Sequence, residues 1–402
     1  MPAAEEVRSG DAGDRQITHF PTPAVSPGSP VLIVIEDLLR EAAEQGIRDE
    51  VLIEPWRGER FRPEWITPAS TPRDLMQNRL VATADHIFGK AVGRRPATEE
   101  LYRSSMHGVD LERVTELVLH DGSFAFGGAR LLGARRRHYG LSYYSHIALS
   151  RSLDRRELRA MLDRLDHCIQ VSDFMAERLR ERVGYDHPAL VTVHNGVDPT
   201  QFSPRPDGLN LERRIAWVGK IGANKGPDKV LEALRHCAVT DWTMTIVGSS
   251  WYAAGGEPSP FEQQLHAMAE QLAGTTEFVG YKPRSELPGI LRDQRIFVFP
   301  TMLDEAFGLV LLEAMASGLA CVASPRGGVP EFARDAVILL DPNDSREFGG
   351  TLEWLLTDDV AASELGQKAR DRALEYTTQR QYARLREVLF GPETAPHPAE
   401  RA

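Results

Sequence analysis

Two lysines and a glycine-opened helix are the parts of this sequence whose chemistry and spacing fit the binding of an anion. Lys220 and Lys225 lie in the loop GKIGANKG, directly after an apolar run at 215–218. Gly308 opens a predicted helix that ends at Ala316. The first backbone N–H groups of a helix have no partner within the helix and carry partial positive charge, so they bind phosphate. If both loops lie at one edge of a parallel sheet, the lysines and the helix start converge on one diphosphate.

Two glutamates accompany that helix start. Glu305 lies in the loop before Gly308, and Glu313 lies inside the predicted helix. A glycosidase acid/base pair needs its carboxyl groups about 5–9.5 Å apart, on either side of one bond. The helical rise between the two positions is about 12 Å, which disfavours that role. Two carboxylates that hold hydroxyl groups on two parts of one long ligand fit the spacing better.

Short apolar runs alternate with amphipathic stretches along the chain, a pattern typical of a parallel sheet covered by helices. The predicted fold class is therefore α/β. Residues 31–35 could form a buried strand, but Ser29 and Pro30 supply a helix start and Gly46 a stop. We therefore predict one helix over 30–45, between two strands.

Polar residues stand at the ends of two predicted strands in the first half of the chain. His120 and Asp121 follow the strand predicted over 115–119, and His146 ends the strand predicted over 142–146. The carboxyl ends of parallel strands are where open α/β sheets bind ligands. His120 and Asp121 therefore either contact a ligand or close a turn.

The strand and helix pattern starts a second time after the proline-rich stretch 199–210, which is typical of an interdomain linker. The sequence thus predicts two Rossmann-like, doubly wound domains. The predicted division is a flexible N-terminus over 1–15, a first domain over 16–205, a second domain over 206–375, a C-terminal helix over 376–391 packing back on the first domain, and a flexible tail over 392–402.

Composition bears on partners and location. The 402 residues carry a formal net charge of −11, so general attraction to nucleic acid or to an anionic membrane is not expected. Three cysteines without a C-x-x-C pair exclude a disulfide framework and argue against a zinc or redox site. We find no apolar run long enough to span a membrane and no signal peptide, and we therefore expect a cytoplasmic protein. A homodimer stays open.

The segment EAFGLVLLE at 305–313 resembles the Glu-x(7)-Glu signature of retaining glycosyltransferases of family 4, which have the GT-B fold. The resemblance covers about residues 15–390. It includes WVGKIGANKG, the loop AVSPGSP, HNGVD, EFVGY and SPRGGVPEF. It implies two Rossmann-like domains facing a cleft, with an acceptor site in the first domain and a nucleotide-sugar site in the second.

The resemblance assigns donor contacts to residues of the second domain. Glu305 would contact hydroxyls of the donor sugar, and Glu313 would contact the ribose. Lys220 and Lys225 would neutralise the diphosphate. The other donor-binding residues implied are the amides of Phe307, Gly308 and Leu309, with Val279 and Gly280 of EFVGY near the base.

The resemblance also assigns residues of the first domain. His146 matches the family's active-site histidine beside the transferred sugar, and with Glu305 it would form the catalytic set. His120 and Asp121 would contact the acceptor, and Gly28 would approach the donor phosphates. Two departures stand out, since the family more often has arginine at Lys220 and a Gly-Gly pair in the loop that here reads Pro-Gly-Ser-Pro.

The implied reaction retains the anomeric configuration without a dedicated nucleophile. Lysines and the helix dipole stabilise the departing diphosphate, and a phosphate oxygen helps to deprotonate the acceptor. No cofactor and no divalent metal are required, and no D-x-D or H-E-x-x-H motif is present. The alternatives are a non-catalytic nucleotide-sugar-binding relative and, less favoured, a sugar-nucleotide epimerase.

Donor base, sugar and acceptor are not fixed by these residues, and UDP, GDP and dTDP all stay open. A small soluble acceptor is favoured because the first half shows no strongly basic amphipathic helix for a membrane. A lipid or polysaccharide acceptor is the alternative. Residue usage rich in Arg and Ala is typical of actinobacteria and suggests natural-product assembly such as antibiotic biosynthesis.

Overall fold

The chain divides into two compact units in a computed structural model of the protein. Unit 1 comprises Met1–His194 and Thr378–Ala402, and unit 2 comprises Asn195–Thr377. The change of unit at Asn195 precedes the predicted boundary at 206. The structure describes residues 15–22, 29–54, 59–71, 75–120, 124–133, 138–149, 153–206, 208, 212–250 and 257–392. The predicted flexible ends therefore lie almost wholly outside the described residues.

The described part of unit 1 contains a seven-stranded parallel sheet in the order β3-β2-β1-β4-β5-β6-β7. Its strands are β1 (Ile17–Pro21), β2 (Glu50–Ile53), β3 (Ile66–Pro68), β4 (Glu116–His120), β5 (Gly140–Ser145), β6 (His167–Gln170) and β7 (Leu190–Thr192). Its first six helices are α1 (Pro30–Glu44), α2 (Arg79–Val92), α3 (Pro96–Ser105), α4 (Ala125–Leu132), α5 (Arg155–Leu162) and α6 (Asp173–Val183). The central strands are buried, as expected for a parallel sheet covered on both faces.

Residues 31–35, whose composition fits either a strand or a helix, lie in helix α1. The Ser29 hydroxyl accepts a hydrogen bond from the Val31 amide at 3.3 Å, and Pro30 occupies the first turn. Leu32, Ile35 and Leu39 then fall on one helical face and are buried. The prediction of a single helix is confirmed, because a capped start and period-3.6 burial outweigh the strand-like composition.

The described part of unit 2 contains a six-stranded parallel sheet in the order β10-β9-β8-β11-β12-β13. Its strands are β8 (Arg214–Val218), β9 (Thr243–Val247), β10 (Thr275–Gly280), β11 (Ile296–Phe299), β12 (Ala320–Ala323) and β13 (Ile338–Leu339). Its helices are α7 (Pro227–Leu234), α8 (Pro260–Ala269), α9 (Leu287–Arg292), α10 (Leu309–Ala316), α11 (Val329–Ala333), α12 (Ser345–Thr357) and α13 (Asp359–Ala373). Both sheets follow the Rossmann strand order, so the α/β prediction is confirmed.

The last helix, α14 (Thr378–Phe390), belongs to unit 1 and packs against α1. The Tyr382 hydroxyl donates to Asp49 Oδ2 at 2.6 Å, and the Gln381 amide donates to the Tyr144 hydroxyl at 3.0 Å. Asp49 is buried, and burial raises the pKa of its carboxyl to about 6. These buried polar contacts hold α14 on the first unit.

Helices α2 and α3 were not predicted from the sequence. Helix α2 is capped by Asn78, whose side chain accepts from the Leu80 amide. Its apolar residues Leu80 and Ile87 face outward, with 80 % and 61 % of their surface exposed. Because these apolar residues face outward, α2 contributes little to the buried core of unit 1.

The structure also bears on membrane insertion. In the portion of the chain that is described, no helix combines the length and the apolar character that crossing a bilayer requires.

Candidate functional site

The lysine loop and the loop before α10 meet at the carboxyl edge of the unit 2 sheet. Lys225 Nζ donates to Glu305 Oε1 at 2.5 Å, and the buried Thr301 hydroxyl donates to the same oxygen at 2.8 Å. The Trp217 indole N–H donates to the Lys225 carbonyl at 3.3 Å. These contacts join the loop after β8 to the loop after β11. One cation and one carboxylate are thereby held side by side at the edge of the sheet.

Two glycines with positive φ allow these loops to approach closely. Gly226 (φ 67°) ends the lysine loop, and a Cβ there would collide with the Pro300 carbonyl. Gly327 (φ 67°) lies against the Glu305 backbone in the same way. The Gly328 amide donates to the Glu305 carbonyl at 2.9 Å. The glycines therefore fix the position of the Glu305 backbone, since any larger residue would push the loops apart.

Helix α10 begins at Leu309, with Gly308 as its N-cap at φ 113° and ψ 57°. Phe307 is buried before it and stacks on Phe332 with ring centroids 4.6 Å apart. The helix is apolar and largely buried, so packing and not helix propensity holds it in place. Its amino-terminal amides follow the same loop that carries Glu305.

Glu313 is buried within α10 and forms an ion pair with Arg284. The Arg284 Nε donates to Glu313 Oε1 at 2.9 Å, and the Arg284 guanidinium lies 5.4 Å from the centre of the Phe202 ring. A buried carboxylate needs such a partner, because removal from water otherwise costs several kcal/mol. The pair therefore holds the Glu313 carboxylate in one position.

Three other donor-binding residues predicted in unit 2 lie at or just after the ends of two strands of the same sheet. Gly280 (φ 70°) ends β10, and its carbonyl accepts from the Gly248 amide at 2.8 Å. Val279 precedes it and is partly buried. Lys220 follows β8 and is exposed. These residues thus lie at the carboxyl ends of the parallel strands β8 and β10.

The carboxyl edge of the unit 1 sheet carries a row of histidines. His19 Nδ1 lies 2.9 Å from His120 Nε2, and His120 Nδ1 lies 3.0 Å from His146 Nε2. Burial lowers the pKa of His19 and of His146 to about 3, and burial with the neighbouring rings lowers the pKa of His120 well below its usual value. The three rings are therefore neutral at pH 7.

The structure brings some predicted residues together and leaves others apart. Lys225 and Glu305 are in contact, and His120 and His146 are in contact. Glu313 instead contacts Arg284. Gly28 and Asp121 lie outside the described residues. The roles assigned to all these residues stay predictions.

Three residues with a place in the site were missed by the sequence analysis. Thr301 bonds Glu305, Arg284 pairs with Glu313, and His19 extends the histidine row. A histidine inside the short buried strand β1 was a signal for this position. An arginine closely following EFVGY was a weaker signal, because its partner lies on another element.

Two sequence profiles match the chain, one on each unit. The profile described as "Glycosyltransferase Family 4" matches residues 31–201, and that described as "Glycosyl transferases group 1" matches residues 204–372. Together they cover most of both units.

The chain is similar to several curated proteins. It is 30% identical to a D-inositol 3-phosphate glycosyltransferase of Corynebacterium jeikeium, over 60% of this chain and 61% of that protein. It is 32% identical to the protein of the same name from Mycolicibacterium vanbaalenii, over 54% of this chain and 51% of the relative. It is 23% identical to spore coat protein SA of Bacillus subtilis, over 58% of this chain and 67% of that protein. The matches thus span about half to two thirds of these relatives.

Solved structures resemble this one over nearly the whole chain. Anabaena Alr3699/HepE, crystallised with UDP and glucose, has a TM-score of 0.71 at 15% identity and covers 93% of this chain and 99% of its own. Sucrose-phosphate synthase of Thermosynechococcus elongatus has a TM-score of 0.69 at 17% identity, over 93% of this chain and 98% of its own. At such identities the likeness concerns the fold.

Proposed function

This chain belongs to glycosyltransferase family 4 and has the GT-B fold, and on that premise we propose that it transfers a sugar from a nucleoside diphosphate-sugar to a small-molecule acceptor. The proposed transfer retains the anomeric configuration and needs no divalent metal. The observation that carries the proposal is the contact of 2.5 Å between Lys225 Nζ and Glu305 Oε1. It puts a cation for the diphosphate beside a carboxylate for the sugar.

Lys225 and Glu305 satisfy each other through their direct hydrogen bond. A bound diphosphate offers Lys225 a stronger anion, so donor binding exchanges the carboxylate for phosphate oxygens. Glu305, still bonded to Thr301, then accepts hydrogen bonds from sugar hydroxyls. Binding of the diphosphate to Lys225 therefore frees the Glu305 carboxylate to bind the sugar.

The leaving group gains negative charge as the glycosidic bond to the diphosphate breaks. Lys225, the exposed Lys220 and the first amides of α10 are fixed positive groups on neighbouring loops of unit 2. Positive groups placed before the reaction stabilise developing charge without reorganisation. They supply the charge compensation that a divalent metal provides in other transferases, which supports a metal-independent reaction.

The proposed acceptor is a small polar molecule. Two relatives at 30% and 32% identity are named D-inositol 3-phosphate glycosyltransferases, and those names indicate small polyol phosphates as the first acceptors to test. Sugar-accepting intermediates of natural-product assembly form the second group. The partly exposed His146 of unit 1 suits hydrogen bonding to a hydroxyl group, because its ring carries no charge at pH 7.

Turnover measurements test this function. The donors are UDP-, GDP- and dTDP-glucose, each with inositol phosphate or without acceptor. Glu305→Ala should lower turnover at least 100-fold, whereas Glu347→Ala, at an exposed carboxylate of α12, should leave it unchanged. Product must keep the anomeric configuration of the donor and form in the presence of EDTA.

The outcomes separate the alternatives. Donor conversion without acceptor would indicate an epimerase, and donor binding without any turnover would indicate a non-catalytic relative. Unchanged turnover in Glu305→Ala would refute the assignment of that residue.

A lipid-carried acceptor is the second candidate, and the exposed face of α2 favours it. Leu80, Ile87 and Phe88 lie on one face of α2 and are exposed, with Arg79 and Lys90 exposed beside them. The acidic residue of α2 is buried. An apolar face with cations and no exposed acid fits an anionic bilayer surface, because the cations pair with lipid phosphates while the apolar side chains enter the headgroup region.

Vesicle sedimentation tests this second candidate. The protein should sediment with phosphatidylglycerol vesicles and less with phosphatidylcholine vesicles, and Ile87→Glu should abolish sedimentation. Val360→Glu, at an equally exposed apolar residue of α13, is the matched control and should sediment like the wild type. Absence of sedimentation, or equal loss in both variants, would leave the small soluble acceptor as the candidate.

A further inference from the structure

Three histidine rings form one hydrogen-bonded chain across neighbouring strands of unit 1. His19 lies in β1, His120 ends β4 and His146 follows β5. The strands are adjacent, with Pro21 paired to His120 and His120 paired to Tyr144. The nitrogen-to-nitrogen distances are 2.9 Å and 3.0 Å. The sheet register thus determines which ring contacts which.

The three histidine rings share a limited number of N–H protons. A neutral imidazole has one N–H donor and one bare nitrogen acceptor. Three neutral rings therefore carry three protons, two of which lie in the two nitrogen-to-nitrogen contacts. The third lies at one end, either on His19 Nε2 or on His146 Nδ1. Only two arrangements exist, and each fixes the tautomer of all three rings.

The buried end of the histidine chain, at His19, decides between these two arrangements. His19 Nε2 is buried and has no hydrogen-bond partner among the described residues. Buried N–H groups without an acceptor are rarer in native proteins than acceptors without a donor. The bare nitrogen therefore belongs at His19 Nε2. His19 Nδ1–H then donates to His120, and His120 Nδ1–H donates to His146 Nε2.

We infer that His19 and His120 are positioning residues that hold His146 as its Nδ1–H tautomer, so that this ring donates a hydrogen bond to a hydroxyl or phosphate oxygen of a ligand. His146 is the partly exposed end of the chain. With Nε2 occupied by His120 and Nδ1 protonated, the ring has no lone pair with which to accept a proton. His146 therefore acts as a donor and not as a general base.

The ligand class in this inference rests on the proposed function, whereas the tautomer does not. Nitrogen-15 NMR of the ligand-free protein tests the tautomer directly, with His146→Gln to assign the signal. The expected spectrum shows His146 with a protonated Nδ1 and a bare Nε2. A protonated Nε2 in the wild-type protein would overturn the inference.

Variants of His120 separate positioning from simple packing. His120→Phe keeps an aromatic ring but removes the donor to His146, so His146 should shift to the Nε2–H tautomer. His120→Asn keeps an N–H close to the position of Nδ1, so His146 should stay Nδ1–H. Phe20→Leu, beside His19 in the buried part of β1, is the control and should not change the tautomer. Equal behaviour of the Phe and Asn variants would contradict the inference.

Kinetics then link the tautomer to the ligand. Loss of one hydrogen-bond donor should lower sugar transfer about tenfold in His120→Phe, whereas His120→Asn should stay within about threefold of the wild type. If the protein shows no transfer at all, the proposed function fails while the NMR result still decides the tautomer. If transfer occurs and both variants match the wild type in rate, the ligand contact of His146 is refuted.

Discussion

The two sheets have the same strand order at their centres but opposite chemistry at their carboxyl edges. In unit 1 the edge carries three neutral rings in a hydrogen-bonded chain. In unit 2 the edge carries the ion pair between Lys225 and Glu305, and glycines with positive φ hold its loops together. One fold therefore presents neutral hydrogen-bonding groups in one unit and fixed charges in the other.

The difference teaches that each edge depends on a different physical quantity. Neutral buried rings resist protonation, so the stability of unit 1 depends on pH in the mildly acidic range. The edge of unit 2 depends instead on charge partners and on backbone conformation. Each of the following changes acts on one edge and should spare the other.

Acidification should have the largest effect on the free energy of unfolding, and this effect should fall on unit 1. The pKa of His19 and of His146 is about 3 in the folded protein, against 6.5 for an ordinary histidine. Below pH 6.5 the unfolded chain therefore binds more protons, and stability falls as the pH falls. Asp49 acts in the opposite direction, since its raised pKa of about 6 favours the folded state at lower pH. The pKa of His120 is lowered in the same direction as that of His19 and His146, so the three rings lose about 2 kcal/mol each while Asp49 returns about 1 kcal/mol. The net loss between pH 7.5 and pH 5 should therefore be on the order of 5 kcal/mol.

Hydrogen exchange resolved by peptide checks this prediction. Amides of β1, β4 and β5 should lose protection at a higher pH than amides of β8, β9 and β11. His146→Gln removes one titrating ring and should move the transition of unit 1 to lower pH. Loss of protection in unit 2 at a higher pH than in unit 1 would contradict this prediction.

Removal of Arg284 should have the next largest effect, and on unit 2. Arg284→Ala leaves the buried Glu313 carboxylate without its ion-pair partner, which should cost about 3–5 kcal/mol of unfolding free energy. Urea denaturation at pH 7.5 measures this loss. Lys282→Ala is the matched control, because its ion pair with Glu286 is more exposed, and should cost less than about 1 kcal/mol. Equal losses of unfolding free energy in Arg284→Ala and Lys282→Ala would show that burial does not determine how much these ion pairs contribute to stability.

The sequence predicted the two edges unequally well. The lysine loop, the helix after Gly308 and helix α1 follow from local signals, namely glycine and proline positions, caps and periodic burial. The partner of Glu313 and the place of His19 do not, because they depend on contacts between elements distant in sequence. His19 meets His120 only because β1 and β4 are neighbours in the sheet. Local patterns define elements, whereas side-chain partners depend on how the elements assemble.

A change of backbone conformation at Gly308 in unit 2 should have the smallest of these effects on the free energy of unfolding. Gly308 has φ 113°, and a Cβ there would come no closer than 3.5 Å to the Phe299 ring. Gly308→Ala is therefore strained by its backbone conformation and not by a clash, and should cost about 1–3 kcal/mol in urea denaturation. Gly350→Ala, inside α12 with open space around it, should be neutral or stabilise by up to about 1 kcal/mol. A neutral Gly308→Ala would contradict the role of backbone conformation at this edge.

Calorimetric titration with UDP, GDP and dTDP tests the central claim most directly, namely that the Lys225–Glu305 contact belongs to a diphosphate site. At least one nucleotide should bind the wild-type protein. Lys225→Met should weaken that binding about 10- to 100-fold, because a charged hydrogen bond to phosphate is lost. Glu305→Gln should bind at least as tightly as the wild type, since Lys225 then has no competing carboxylate. Equal binding by Lys225→Met and the wild type, or weaker binding by Glu305→Gln than by Lys225→Met, would contradict the account.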